Sequence, residues 1–121
     1  MSILVLDVGT TSMRGILYGE RGEKISVCQL PNHVEFLADG VVNESPSDWE
    51  NNTADIVKTI VHDPAAAGQK IEAVAITSQR SSIIPVDKDG KPLMDTIMWQ
   101  DVRNRDICKR IEKEDPNTFA K

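Results

Sequence analysis

Aromatic side chains are scarce in this sequence, at 4% of residues, and basic ones hold no surplus, with Lys+Arg 14 against Asp+Glu 19 and a net charge of −5. A sequence-independent nucleic-acid binder needs a basic footprint and stacking platforms, and neither is here, so nucleic acid is excluded as a partner. Cysteine is limited to Cys28 and Cys108, far apart and in no CxxC or Cys/His metal spacing. That excludes a disulfide framework and a zinc site and leaves buried reduced thiols as the expectation. His33 and His62 share no metal spacing with each other or with the cysteines. There is no Gly-x-Ser-x-Gly elbow for a serine hydrolase and no Gly-x-x-x-x-Gly-Lys-Ser/Thr P-loop. Long apolar runs are missing too. The apolar start Met1 to Leu6 has no basic flank and is cut short by Asp7, which argues against a signal peptide or a membrane partner and for a cytoplasmic protein.

What remains is an ordinary globular composition: 121 residues, 40% hydrophobic and 27% charged, with Gly 7 and Pro 6. A chain of this length buries roughly two-thirds of its unfolded surface and needs no covalent staple. The acid surplus lies between His33 and Asp63, where Glu35, Asp39, Glu44, Asp48, Glu50, Asp55 and Asp63 face Lys58 alone. A solvated loop and helix face is the expectation for it.

Patterning divides the chain without any linker or repeat. Ile3 to Val8, Met13 to Tyr18 and Lys24 to Leu30 read as three strands, joined by turns at Gly9-Thr10-Thr11-Ser12 and Glu20-Arg21-Gly22-Glu23, an antiparallel meander. Pro31 to Glu44 fits no element beyond a turn at Asp39-Gly40. Ser45-Pro46-Ser47-Asp48 is a helix start with cap, first-turn proline and an acid three residues on, and Trp49, Thr53, Ile56, Val57, Ile60 and Val61 follow as one stripe, ended by Pro64 and Gly68. Ile71 to Ile76 is nearly continuous in apolar residues, the pattern of a central buried strand. Ile83 to Val86 and Lys91 to Met94 flank Asp87-Lys88-Asp89-Gly90 as a hairpin, and Asp101 stands where it could cap a last helix with Ile107, Cys108 and Ile111 on one face. The order predicts an α/β domain: a mixed sheet built from a three-strand meander plus further strands, with flanking helices.

Three segments carry chemistry. In the first, Asp7 projects a carboxylate where an apolar strand ends, Gly9 lets a ligand come close to the backbone, Thr10, Thr11 and Ser12 offer hydroxyl and N–H donors suited to phosphate, and Arg14 adds a cation. An acid beside a phosphate cradle is repulsive unless a divalent cation lies between them, so Asp7 is the candidate for Mg²⁺ or its waters. The second, Thr77-Ser78-Gln79-Arg80-Ser81-Ser82, lies beyond the carboxyl end of a strand, where α/β sheets bind ligands, and Gln79 and Arg80 suit a polyhydroxylated one. In the third, Trp99 could wall a sugar's C–H face, with Asp101 and Arg103 nearby for hydroxyls. Taken singly, each also reads as a plain turn, a solvated loop or a core tryptophan beside a helix cap.

In this order the segments resemble the N-terminal part of the FGGY carbohydrate kinases, most closely the glycerol-kinase-like members. The resemblance rests on Leu6-Asp7-Val8-Gly9-Thr10-Thr11-Ser12-Met13-Arg14, Ala75-Ile76-Thr77-Ser78-Gln79-Arg80, Asp89-Gly90-Lys91-Pro92-Leu93 and Ile97-Met98-Trp99-Gln100-Asp101-Val102-Arg103. It implies an RNase H-like, actin-like ATPase fold of two lobes, in which ATP and a sugar or polyol meet in the cleft. It implies further that Gly9, Thr10, Thr11, Ser12 and Arg14 face nucleotide phosphates, that Asp7 faces Mg²⁺, and that Gln79, Arg80, Ser81, Trp99 and Asp101 line the acceptor pocket. Ser81 departs from glycerol kinases, which have Glu there, and Gln79-Arg80-Ser81 departs from the Gln-Met-His of xylulose kinases. The family's catalytic Asp, second phosphate segment and adenine site lie beyond the stretch matched here. Residues 1–121 are thus expected to be a part of the first lobe, inactive alone and prone to self-association through faces the rest would cover. The competing expectations are a non-catalytic phosphate- or sugar-binding module, and an RNase-H-like nuclease. The nuclease needs carboxylates converging on two metals, and Glu72 begins its strand at the wrong end.

Overall fold

Alternation builds the first two strands of the computed structural model, which describes residues 1–119. In β1 (Ser2–Val8) Leu4 and Leu6 are buried, and in β2 (Ser12–Tyr18) so are Met13 and Leu17. The antiparallel register sets Leu4 against Leu17 and Leu6 against Gly15, so these residues share one face. β3 (Lys24–Pro31) pairs with β2, which completes the meander expected from the sequence. The chain then crosses through α1 (Pro46–Val61) and returns as β6 (Ile71–Ser78), parallel to β1. The resulting sheet is mixed, in the order β3-β2-β1-β6.

Helix α1 lies on the Leu4/Leu6 face. Ile56 and Ile60 are fully buried there against Leu4, Leu6, Met13 and Leu17, and each such side chain contributes roughly 1.5–3 kcal/mol by leaving water. Gly15 makes the close approach possible: a Cβ at this position would overlap the Ile56 and Ile60 side chains. Ser45 holds the cap position, but its hydroxyl makes no cap bond; the Asp48 N–H bonds the Ser45 carbonyl instead, at 3.1 Å. After the helix, Asp63 caps a short 3-10 turn (Pro64–Ala66) by accepting the Ala65 N–H, and it accepts the Ser26 hydroxyl as well. Those two bonds, the Ser26 one foremost, hold its carboxyl below the usual range.

The stretch that resisted assignment supplies two strands of a second, three-stranded sheet. This sheet contains β4 (Glu35–Phe36), β5 (Val42–Glu44) and β7 (Thr96–Ile97), in the order β4-β5-β7. The alternation of β5 buries Val42 and Glu44, and Glu44 sits opposite Thr96. Glu44 therefore does not belong to a solvated acidic face: it is 0% exposed, and neither carboxylate oxygen finds a hydrogen-bond partner among the described residues. Burial pushes its carboxyl up to about 7; the nearby Trp49 indole, which closes no hydrogen bond to it, offsets this in part and the Asp48 charge adds to it.

Other expectations are corrected. Among the described residues β6 is an edge strand rather than a central buried one. It pairs with β1 alone among the described residues, and Val74 and Ile76 are 57% and 70% exposed, because α1 packs chiefly over β2 and β3 and leaves the β6 side bare. The Ile83–Val86 and Lys91–Met94 segments form no regular hairpin. The turn itself is present, with Gly90 at φ +79° and Asp87 and Lys91 bonded, but only single bridges, Val86 to Pro92 and Ile83 to Ile97, follow. The last helix, α2 (Arg105–Glu114), starts after Asn104 rather than Asp101, Asn104 makes no side-chain cap bond, and Ile107 remains exposed. Cys28 and Cys108 are free thiols, half-buried rather than buried.

Candidate functional site

Parallel pairing of β1 and β6 brings two of the polar segments together. The register runs Asp7 to Thr77 and Val8 to Ser78, so both strands leave the sheet at the same edge. The Gln79 N–H bonds the Val8 carbonyl at 2.8 Å and holds the loop after β6 beside the Gly9–Ser12 turn. Ligands of α/β sheets collect beyond such carboxyl ends.

The turn is closed by the Gly9 N–H on the Ser12 carbonyl at 3.1 Å. A Cβ on Gly9 would lie 2.8 Å from that carbonyl oxygen, so the turn itself requires glycine. From the end of β3, Asn32 clamps the outside of the turn: its amide donates to the Gly9 carbonyl at 2.9 Å, and its backbone N–H donates to the Thr11 carbonyl at 3.0 Å. Asn52 of α1 secures Asn32 in turn, donating to its side-chain oxygen at 3.2 Å. With the carbonyls thus engaged, the Thr10 and Thr11 N–H groups keep no partner among the described residues. Sequence reasoning missed both asparagines, since Asn32 lies in the unassigned stretch and Asn52 off the helix's apolar stripe.

Asp7 lies on the sheet face opposite α1, because its neighbour Leu6 points into the core. Register extends a polar row across that face, Gln29 to Arg14 to Asp7 to Thr77. Arg14 donates to Gln29 at 3.2 Å, and Gln29 donates to the Ser12 hydroxyl at 2.8 Å. The Asp7 carboxylate forms no hydrogen bond or ion pair with any described residue.

Trp99 follows β7 and is 54% exposed, so it is not a core residue. Ile97 and Ile83 exchange two backbone bonds of 2.9 Å, and the Trp99 N–H bonds the Ser82 hydroxyl at 3.1 Å, which fastens the β7 exit to the loop after β6. The indole N–H reaches the Thr10 hydroxyl at 3.0 Å, and that hydroxyl donates to the Gln79 side-chain oxygen at 2.7 Å. Arg80 and Ser81 are exposed in the same loop, with Ser81 at φ +70°. A left-handed serine stores strain of the kind that gathers at binding sites.

Asp101 is directed elsewhere. Its side chain is 2% exposed and accepts the Val42 N–H at 2.7 Å, the Arg103 N–H at 2.9 Å and the Arg103 guanidinium. The guanidinium bonds, with the two backbone N–H groups, hold its carboxyl well below the usual range. The structure thus gathers Gly9, Thr10, Thr11, Ser12, Gln79 and Trp99 around one sheet edge, sets Asp7 and Arg14 on the adjoining face, and turns Asp101 toward the second sheet. A groove of 680 Å³ between the sheet and α1, lined by Val8, Met13, Trp49 and Val57 among others, is almost wholly apolar and offers no comparable set of donors.

Comparison with known proteins decides the family. Residues 2–121 match the model of the N-terminal domain of the FGGY family of carbohydrate kinases. The chain belongs to this family. It is 34% identical over 113 residues to the glycerol kinase of Marinomonas sp. (strain MWYL1), which covers 93% of this chain and 23% of that protein. To the glycerol kinase of Mycoplasmopsis pulmonis it is 32% identical over 118 residues, 97% of this chain and 23% of the relative. Among solved structures, xylulose kinase from Rhodospirillum rubrum superposes with a TM-score of 0.87 at 21% identity, over 94% of this chain and 23% of that one. Plasmodium falciparum glycerol kinase with ADP gives 0.83 at 24%, over 93% and 23%. The fold of this FGGY chain is accordingly that of the actin-like ATPases, RNase H-like in its mixed sheet. The chain spans less than a quarter of the length of these relatives.

Proposed function

We propose that this chain supplies the first phosphate-binding hairpin and part of the acceptor pocket of an ATP-dependent sugar or polyol kinase, as the N-terminal portion of its first lobe. The observation that supports the reading best is the shared sheet edge, where the Gly9–Ser12 turn and the Gln79–Ser82 loop meet through the Gln79–Val8 bond. Phosphoryl transfer asks little covalent chemistry of a protein; it asks for positioning and for charge stabilisation. The free N–H groups of Thr10 and Thr11 are a donor set for phosphate oxygens, and Arg14 adds positive charge to the adjoining face. Asp7, a hard oxygen donor without a partner among the described residues, fits Mg²⁺ or its bound waters. Mg-ATP, when bound, supplies the phosphoryl group that an acceptor hydroxyl receives.

On the acceptor side Trp99 presents an apolar wall, and Arg80 and Ser81 extend polar groups into solvent from the strained loop. Gln79 and Asp101 act through position: the one is held by Thr10, the other braces Val42 and Arg103 behind the wall. Residues 1–121 contain no general base for the acceptor hydroxyl in this reading, so they bind without turnover. Thermal-shift titration with Mg-ATP and a panel of sugars and polyols, followed by a phosphorylation assay, tests both halves. Stabilisation by Mg-ATP without product is the expected result. No response to Mg-ATP would refute the hairpin's role, and sugar phosphate formed by this chain alone would refute its inactivity.

A further inference from the structure

The hydroxyl of Thr10 is already spent within the chain. An indole N–H can only donate, so the Thr10 oxygen must accept the Trp99 bond, and its own proton goes to the Gln79 side-chain oxygen. One residue of the phosphate hairpin thereby holds two residues of the acceptor side, 69 and 89 positions away in sequence. We infer that Thr10 is a positioning residue which sets the Trp99 wall and the Gln79 amide from the hairpin, so that the acceptor side takes its shape only when the hairpin has its own.

This deepens the proposed kinase reading and rests on it for the identity of the two half-sites. It departs from the expectation that the Thr10 hydroxyl faces phosphate; only the backbone N–H of Thr10 remains for that. Two other ties support the brace without replacing it. The Gln79 N–H bond to Val8 fixes the backbone of the loop, and the Ser82 hydroxyl fixes the backbone of Trp99. Neither restrains the indole ring, since Trp99 is more than half exposed and its side-chain torsions are free to rotate. Gln79 is in a similar position: its side-chain nitrogen is buried without a partner, so the oxygen's bond to Thr10 is the contact that orients the amide.

Nuclear magnetic resonance of the ¹⁵N-labelled chain tests this directly, because there are only two indole signals, from Trp49 and Trp99, and Trp99→Phe assigns them. In the unaltered chain the Trp99 indole hydrogen should exchange about tenfold more slowly than that of free tryptophan, the protection of one hydrogen bond. Thr10→Val should abolish that protection and move the Trp99 signal, Thr10→Ser should restore both, and the Trp49 signal should stay in place throughout. Exchange at the free rate in the unaltered chain would overturn the inference, and this measurement holds even if Thr10→Val fails to fold. Failure of Thr10→Ser to restore a signal lost in Thr10→Val would overturn it equally. Titration with inorganic tripolyphosphate and Mg²⁺ then separates the brace from the reading beneath it. The amides of Gly9 to Ser12 and the Trp99 indole should move together in the unaltered chain, and the amides alone in Thr10→Val. A Trp99 signal that still follows the amides in Thr10→Val counts against the brace. If no hairpin amide responds in any variant, the phosphate reading fails, and the exchange rates alone decide the brace.

Discussion

The carboxylate of Asp101 accepts the backbone N–H of Val42 at 2.7 Å, joining the segment after β7 to the start of β5 across 59 residues of sequence. Together with the guanidinium of Arg103, this contact fixes the short second sheet from which Trp99 emerges. Asp101→Ala would leave the Val42 N–H without its acceptor and Arg103 without its counter-charge, and is expected to destabilise the chain by about 2 kcal/mol. Urea denaturation measures it. The folded carboxyl titrates below its ordinary value of 3.8, so its contribution is complete above that pH and is lost as the pH falls below it. Asp101→Ala should therefore weaken the chain at neutral pH and flatten its acid limb; an unchanged acid limb would refute this role.

Glu44 gives the opposite pH dependence. Its folded value of about 7 lies above the ordinary 4.5, so the folded state binds the proton more tightly than the unfolded state. The stability it contributes is full below 4.5 and is lost as the pH rises to 7, a change of about 3 kcal/mol at most. Glu44→Gln keeps the shape without an ionisable proton. It should match the native chain near pH 5 and exceed it by about 1–3 kcal/mol at pH 8, read by denaturation at the two pH values. Equal stability of the two proteins at pH 8 would show that the buried carboxyl carries no such penalty.

These two carboxylates mark where sequence reasoning stopped. Both are acids in polar surroundings, one in an acidic stretch and one just before a helix, and local pattern therefore assigned one to solvent and the other to a cap. Their partners decide otherwise: Glu44 is buried by strand alternation opposite Thr96, and Asp101 is claimed by Val42, which no local rule connects to it. The meander, α1 and the parallel return of the chain were legible because alternation and a helical stripe are local signals. The second sheet was not, since β4, β5 and β7 are two or three residues long and exist only through pairing. At the candidate site, the ordered motifs singled out Gly9 to Ser12, Gln79 and Trp99, which the fold brings together. The direction of the Thr10 bonds and the asparagine clamp were not, because both depend on residues brought together only by the fold.

The clamp makes its own prediction. Asn32 contacts the Gly9–Ser12 turn through the Gly9, Thr10 and Thr11 carbonyls, leaving its N–H groups untouched. Asn32→Ala should loosen the turn and weaken tripolyphosphate or Mg-ATP binding about 5- to 10-fold, the worth of roughly one or two hydrogen bonds. Asn52→Ala, one step further back, should have a smaller effect in the same direction. Isothermal titration of the three proteins checks the order, and an Asn52→Ala effect larger than that of Asn32→Ala would contradict it.

The bare side of the main sheet carries the last prediction. β6 offers backbone donors and acceptors along an edge with no neighbour among the described residues, beside Val74 at 57% and Ile76 at 70% exposure. An extended edge flanked by exposed aliphatic side chains templates pairing with another strand, and natural proteins blunt such edges with charge, above all lysine. Only Glu72, at the far end from the hairpin, places a charge on β6 itself, and Lys70 just before the strand pairs with it at 3.3 Å, so the pair does not guard the exposed middle. Residues 1–121 should therefore associate with rising concentration. Ile76→Lys should suppress that association while leaving the α1-covered core intact, because the side chain it replaces touches solvent. Sedimentation velocity over a concentration series, with circular dichroism as the check on folding, distinguishes the two proteins. A native chain that stays monomeric across the series, or an Ile76→Lys chain that associates as strongly, would remove β6 as the cause.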